Sequence, residues 1–301
     1  MCVKTLVSGA EGTEHAADGV VDEALEDRFA RCLQSNGMIR KDYITFEQWF
    51  CTVIGEISVF LHFISEKTMK KQDWLLILGV VIVLTPFFIP ATGFFDWFNN
   101  ATATHPFIMA FFKFAILATL GEMLALRIRK GVYTEKGFGV LPRMMVWGFL
   151  GMCITMAMMI FKSGTPFFMS KVASCDYASL MDVFNSPTLT WGKLGIAFCV
   201  SVAMNTIFAP VMMTFHKCTD IHILETGGTV AGLLKPMDMK RMLGSINWDV
   251  QWGLVFKKTI PLFWYPAHTI TFILPPNLQV LFAALLGVAL GLILALANPQ
   301  K

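Results

Sequence analysis

Two ionisable side chains, Lys113 and Glu122, interrupt an otherwise apolar stretch from Phe107 to Leu126, and two neutral polar ones, Asn205 and His268, sit in other apolar stretches. An ionised group in hydrocarbon costs at least about 2.5 to 3.5 kcal/mol on insertion scales, so each needs water, a partner or a membrane surface. Such residues mark solute or ion paths, or they fix helix contacts. Lys113 and Glu122 are nine positions apart, which at about 100° per helical residue puts them on opposite faces. They cannot pair with each other within one helix. Lys113 lies close enough to the helix start to snorkel, and Glu122 lies near a basic segment that begins at Arg127. The four residues are the candidates for lining a pore or forming a polar network. Asn205, five residues before Pro210, is expected to donate between helices and to satisfy backbone that the proline frees. His268 belongs to a Trp-, Tyr- and Pro-rich segment, where an interfacial and a lining role are equally open.

Other chemistry is thinly represented. His216, Cys218, Asp220 and His222 alternate along one short stretch, a spacing that on an extended loop can converge on zinc or copper. A juxtamembrane loop is polar in any case, so no metal is expected there. The seven cysteines are scattered without a CxxC, and neither a disulfide framework nor a zinc ribbon follows. No nucleophile elbow, Walker loop, HExxH or dinucleotide fingerprint occurs. The glycines at 137, 139, 227 and 228 form no phosphate-binding pattern. Neither catalysis nor a cofactor is expected, and nucleic acid is not an expected partner.

The elements that must carry these residues are membrane helices. Of the 301 residues 55% are hydrophobic and only 15% charged, against about 25% charged in a globular chain, which leaves too little charge to coat a water-facing surface. Spans need about 20 apolar residues, and the runs fall at 74–95, 107–126, 144–161, 194–215 and 278–297. A further stretch at 259–274, separated from the last by Pro275 and Pro276, is either a short span or an interfacial segment. Upstream, residues 46–66 place Trp49, Phe50, Val53, Ile54, Ile57, Phe60, Leu61, Phe63 and Ile64 on one half of a helical wheel. That pattern describes an amphipathic helix lying on the membrane or on the bundle, a polar-lined span being the alternative. The expected organisation is an acidic mobile tail over 1–45, the amphipathic helix and a basic linker over 46–72, and a membrane helix bundle over 73–301. The fold class is all-α, a polytopic bundle in the lipid bilayer.

Small residues recur every four positions on the last span, at Ala283, Gly287, Gly291 and Ala295. Such a stripe lets helices approach closely, within the bundle or between two copies of the chain. The six methionines from Met144 to Met159 fall on several faces and read as adaptable packing.

Short motifs within the body resemble those of the Mpv-seventeen and peroxisomal membrane protein family. His105-Pro106 precedes Gly121-Glu122 at the interval of the family's His-Pro and Gly-Asp. Arg143, with Gly148 five residues on, resembles the Arg-Met-x-x-x-Gly that opens its second helix; Phe208-Ala209-Pro210 matches its Phe-Ala-Pro; Trp264, Phe272 and Pro276 resemble the spacing of its Trp and Phe signature. The likeness runs from about His105 to Leu294. It implies a four-helix body, to which the span from Trp74 and the acidic head are additions, and a remote relationship. It also implies a weakly selective pore for small solutes, the rival being a structural or assembly protein. The acidic head lacks the Arg- and Ser-rich character of a transit peptide, which favours a bacterial inner membrane over an organellar one.

Lysine and arginine favour cytoplasmic loops. With the first span leaving the cytoplasm, fourteen basic residues fall in inside loops (67, 70, 71; 127, 129, 130, 136, 143; 217, 235, 240, 241, 257, 258) and three outside (162, 171, 193). The amino terminus is therefore expected inside. Cysteines introduced singly beside Asn99 and beside Lys136 should react with an impermeant label from opposite sides, Asn99 from outside; labelling from one side for both would overturn the scheme.

Overall fold

The computed structural model describes residues 70–297, without the side chains of Leu84, Phe88, Pro90 and residues 292–297. The expected tail and amphipathic helix lie outside those residues. Every described element is helical: α1 Lys71–Phe88, a 3-10 turn Pro90–Thr92, α2 Phe94–Thr104, α3 Pro106–Lys130, α4 Val140–Val172, α5 Tyr177–Asn185, α6 Trp191–Glu225, α7 Val230–Leu233, α8 Met239–Ser245, α9 Trp248–Val250, a π-helical segment Gln251–Trp264, α10 Tyr265–Ile273 and α11 Pro276–Ala297. The fold is all-α, a membrane helix bundle. The chain divides into two compact units, Met1–Thr85 and Pro86–Lys301. Of the first, the described part is α1 as far as Thr85; the helices from α2 onward all belong to the second.

Among the described residues three helices, α3, α4 and α6, are long and apolar enough to cross a membrane. The chain is an integral membrane protein. α4 has 33 residues and α6 has 35, roughly 50 Å each at 1.5 Å per residue, against about 30 Å of hydrocarbon. Both therefore extend beyond the uncharged runs at 144–161 and 194–215, and residues 216–225, expected in a loop, are the last turns of α6. The run 74–95 is also not one helix, because α1 stops at Phe88 and Pro90 opens a separate turn. The 259–274 stretch joins upstream residues in continuous helix from Trp248 to Ile273, fourteen residues of it with π geometry.

Helix boundaries follow local chemistry. His105 holds the N-cap position of α3 and Pro106 begins it, a position where the missing N–H costs nothing. Gly131 ends α3 with φ 74°, a left-handed residue whose N–H caps the Arg127 carbonyl at 2.9 Å as glycine readily allows. Asp176 and Thr190 cap α5 and α6 by accepting from the N–H groups of Ser179 and Lys193. Pro276 opens α11.

In the second unit α3 packs most extensively against α4 and α11, and α6 against α4 and α10. Phe114, Ala118, Ile154, Ala157, Met158, Ile196, Ala197, Val200, Met204 and Phe272 form the main apolar core. The α3–α4 approach depends on two glycines: a Cβ on Gly151 would lie 2.6 Å from the Phe114 Cβ, and one on Gly148 would lie 2.5 Å from the Phe111 ring. On the other side of α3, a Cβ on Gly121 would lie 3.0 Å from the Val288 Cα of α11.

Within the bundle this geometry uses only part of the last-helix stripe. Ala283 is buried, and a Cβ on Gly291 would touch the Gly121 carbonyl at 3.7 Å, but one on Gly287 would meet nothing within 4 Å. The close approach uses the face of Ala284, Val288 and Gly291, because Gly121 on α3 leaves room there. Ala295 has no described side chain.

Gly151→Ala should destabilise the bundle by about 1 to 3 kcal/mol, since the clash is with a Cβ close to backbone and cannot be relieved by a rotamer change. Gly195→Ala, where the added carbon meets nothing within 4 Å, should be neutral or gain up to about 1 kcal/mol of helix propensity. Thermal unfolding of the two variants in detergent checks the contrast; equal melting temperatures would refute it.

Candidate functional site

The ends of three long helices meet at Arg143. It lies in the first turn of α4, where its side chain is 8% exposed, and its Nη1 donates both to Glu122 of α3 and to Asp220 of α6, the latter at 2.6 Å. Its Nε donates to the Phe138 carbonyl at 2.8 Å, and the guanidinium lies over the Phe138 ring at 4.6 Å. The other Glu122 oxygen accepts from the Trp147 indole at 2.8 Å and lies 3.3 Å from His216 Nε2. The same His216 nitrogen is 3.8 Å from Asp220, and its ring meets Trp147 at a centroid distance of 4.3 Å.

Helical spacing explains how the chain assembles this group. Arg143 and Trp147 are four apart on α4, and His216 and Asp220 are four apart on α6, so each pair shares one face. Glu122 stands two turns before the end of α3. The loop before α4 is held by a close approach of two left-handed glycines: a Cβ on Gly139 would lie 2.8 Å from the Gly228 Cα. The glycines that form no phosphate loop thus lock the loop whose Phe138 carbonyl holds Arg143.

Two carboxylates against one guanidinium leave one excess negative charge, which a protonated His216 cancels and a neutral one does not. A proton or cation arriving at the cluster therefore changes its balance by one unit. Glu122, His216 and Asp220 also bring one metal-ligand atom each within 4.8 Å of one another. Arg143 already donates to both carboxylates, so the centre as built is an ion-pair site whose own cation is the guanidinium. The stretch 216–222 does contribute here, but as helix: at α-helical spacing Cys218 and His222 fall away from the face of His216 and Asp220. His222 is buried with an unpartnered Nε2, and Cys218 is fully buried against Met242 and Ile246.

Lys113 is satisfied elsewhere. Its ammonium donates to the Thr102 hydroxyl at 2.8 Å and lies 4.4 Å from the Phe98 ring centroid, both on α2. The opposite-face expectation therefore stands, yet neither charge needs a shared cavity: α2 answers Lys113, while α4 and α6 answer Glu122. Asn205 differs from expectation. Its amide donates to the Ser201 carbonyl of its own helix at 2.8 Å, one turn back, whereas Pro210 frees the carbonyl of Thr206. The interhelical bond comes from Ser201, whose hydroxyl donates to the Tyr265 carbonyl at 2.8 Å. His268 is buried between Trp264 and Phe272, with ring centroids 5.2 and 6.2 Å away. The Trp264 Nε1 and His268 Nδ1 are buried without a hydrogen-bond partner. Of the remaining motif residues, Phe208 packs on the main core, Ala209 is buried, and Pro210 is inside α6.

Trp147 is not singled out by the sequence, and His216 and Asp220 stand out only as metal-ligand types on an expected loop, not as partners of Glu122 and Arg143. The available signal was the i,i+4 pairing of polar residues at helix ends beside a motif arginine. What was missing was the knowledge that 216–220 is helical.

Fold and cluster together define an integral membrane protein of the all-α class with a charged centre joining helix ends. No family model, curated protein or solved structure matches the chain.

Arg143→Met should cost about 3 to 5 kcal/mol, because it strands two partly buried carboxylates. Adding Glu122→Gln and Asp220→Asn should recover much of that loss. Unfolding of the single and triple variants in detergent measures the difference; a single variant as stable as the native chain would show that the cluster is not a structural tie.

Proposed function

We propose that the protein passes small solutes across its membrane, with the Glu122, Arg143, His216 and Asp220 cluster as the element that sets conductance or ion preference. The observation that carries this reading is the cluster itself. Charged networks among spanning helices are costly, and replacing them with packed apolar residues is often neutral or stabilising, so the presence of one points to ion or solute handling. An excess charge that one proton or cation neutralises suits a gating or coupling element. The motif likeness to the Mpv-seventeen and peroxisomal membrane protein family supports the same direction. A bacterial inner membrane, with the amino terminus cytoplasmic, is the location that fits the charge distribution; an organellar membrane is the alternative.

A second reading, a non-catalytic assembly protein, is favoured by one observation: Lys113 and Glu122 both find partners on neighbouring helices. Buried polar groups would then only specify packing. Reconstitution into liposomes separates the two. Transport requires solute flux that changes severalfold in Glu122→Gln or His216→Gln while the bundle stays assembled, and Lys113→Met tests whether the opposite end contributes. Absence of flux under every potential and pH applied, or flux indifferent to all three substitutions, would sink the transport reading and leave the assembly role.

A further inference from the structure

We propose that an anionic phospholipid of the cytoplasmic leaflet occupies a groove between the end of the apolar run of α6 and the segment that follows α7. The groove has a volume of about 390 Å³, within the range of small-ligand sites. One wall is Pro210, Val211, Thr214 and Phe215 of α6. The opposite wall is Met239 of α8, Trp248 of α9 and Phe256 of the π-helical segment.

The lining is carbon almost throughout. Thr214 turns its hydroxyl inward to the Pro210 carbonyl at 2.7 Å, which leaves its methyl for the groove, and the Trp248 indole N–H is taken by the Leu243 carbonyl at 3.0 Å. Nothing in the groove offers a polar solute a partner. The Met239 wall is tethered: Met242 is buried against Cys218 and Ile246, and Arg241 makes a two-pronged ion pair to Glu225, with both bonds at 2.6 Å, so α8 is tied to the end of α6. An apolar trough with a tethered wall suits an apolar occupant.

Position and charge select the occupant. Residues 210–215 end the uncharged stretch of α6, and ionisable residues begin at His216, so the groove spans the level where acyl chains give way to headgroups. A tryptophan suits that level. Lys217, Lys240, Lys257 and Lys258 are all exposed and lie within two residues of lining positions. Among the described residues none of the four makes an ion pair. The acidic neighbours are Asp238, which accepts the Arg241 N–H at the start of α8, and Asp249. Four lysines against two aspartates leave a positive rim. By the distribution of basic loops this is the cytoplasmic face, where anionic lipids and juxtamembrane lysines attract one another. An acyl chain in the trough with a phosphate at the rim satisfies both features, and neither depends on solute flux.

The test is native mass spectrometry of the full chain in a neutral detergent with phosphatidylglycerol or with phosphatidylcholine of identical acyl chains. Phosphatidylglycerol should be retained roughly tenfold better, as expected for several lysines near one headgroup. The triple variant Lys240→Gln, Lys257→Gln, Lys258→Gln changes only exposed side chains and should bring the two lipids within about twofold. Val211→Trp, at a position 69% exposed, should fill the trough and lower retention of both. Equal retention by the native chain, a preference that survives in the lysine variant, or native retention in Val211→Trp would each overturn the proposal.

Discussion

A guanidinium shared between two carboxylates holds this bundle in register. Arg143 can satisfy Glu122 and Asp220 only if the first turn of α4 lies level with a point two turns inside α3 and with the last turns of α6. In a medium of low dielectric the cost of missing that alignment is an uncompensated charge, which exceeds what any single apolar contact returns. Apolar packing between helices is tolerant of small slides, whereas a charge paired through hydrogen bonds is not. The close approach of α3 and α4 at Gly148 and Gly151 follows from the same alignment, since it places Phe111 and Phe114 where a side chain would otherwise stand.

The opposite end is stitched differently. There Lys113 reaches Thr102 and Phe98, Lys162 donates to Gln279 at 3.0 Å, and Asn277 donates to Asn99 at 2.9 Å. These contacts join α2, α3, α4 and α11 through neutral acceptors. Between the two polar ends lies the apolar core of Phe114, Ile154, Val200 and Phe272. The arrangement is asymmetric: ion pairs gather where α3 and α6 end and α4 begins, and lysines donating to neutral acceptors where α3 and α11 begin.

The column Trp264, His268 and Phe272 shows how helix geometry arranges a motif without making it a site. Residues four apart stack on one face, and Ser201 of α6 secures the start of that face by bonding the Tyr265 carbonyl. Its first member, Trp264, closes fourteen residues of π-helix containing Pro261, far longer than the single-turn π-bulges that are usual. The wider turn carries Phe256 at the groove, with Lys257 and Lys258 beside it.

Composition, uncharged run lengths and proline placement determined that this chain is an all-α membrane protein, because burying a backbone in lipid leaves helices as the only workable answer for apolar runs of that length. They also singled out Lys113 and Glu122 and showed that the two cannot meet, since angular spacing along a helix is a local property. Helix extent was less legible: the charges beyond Phe161 and Phe215 marked the end of the uncharged runs, while the backbone continued as helix beyond both. Which residues answer a buried charge was decided only by tertiary structure. Glu122 is 21 residues from Arg143 and Asp220 is 77 residues from it, and such partners are brought together by packing angles and helix register, which no periodicity in the chain encodes. The last-helix stripe illustrates the same limit. A small residue permits close approach, but whether a neighbour stands there depends on the facing helix, and here Gly121 draws in Val288 and Gly291 while a side chain at Gly287 would meet none of the described residues.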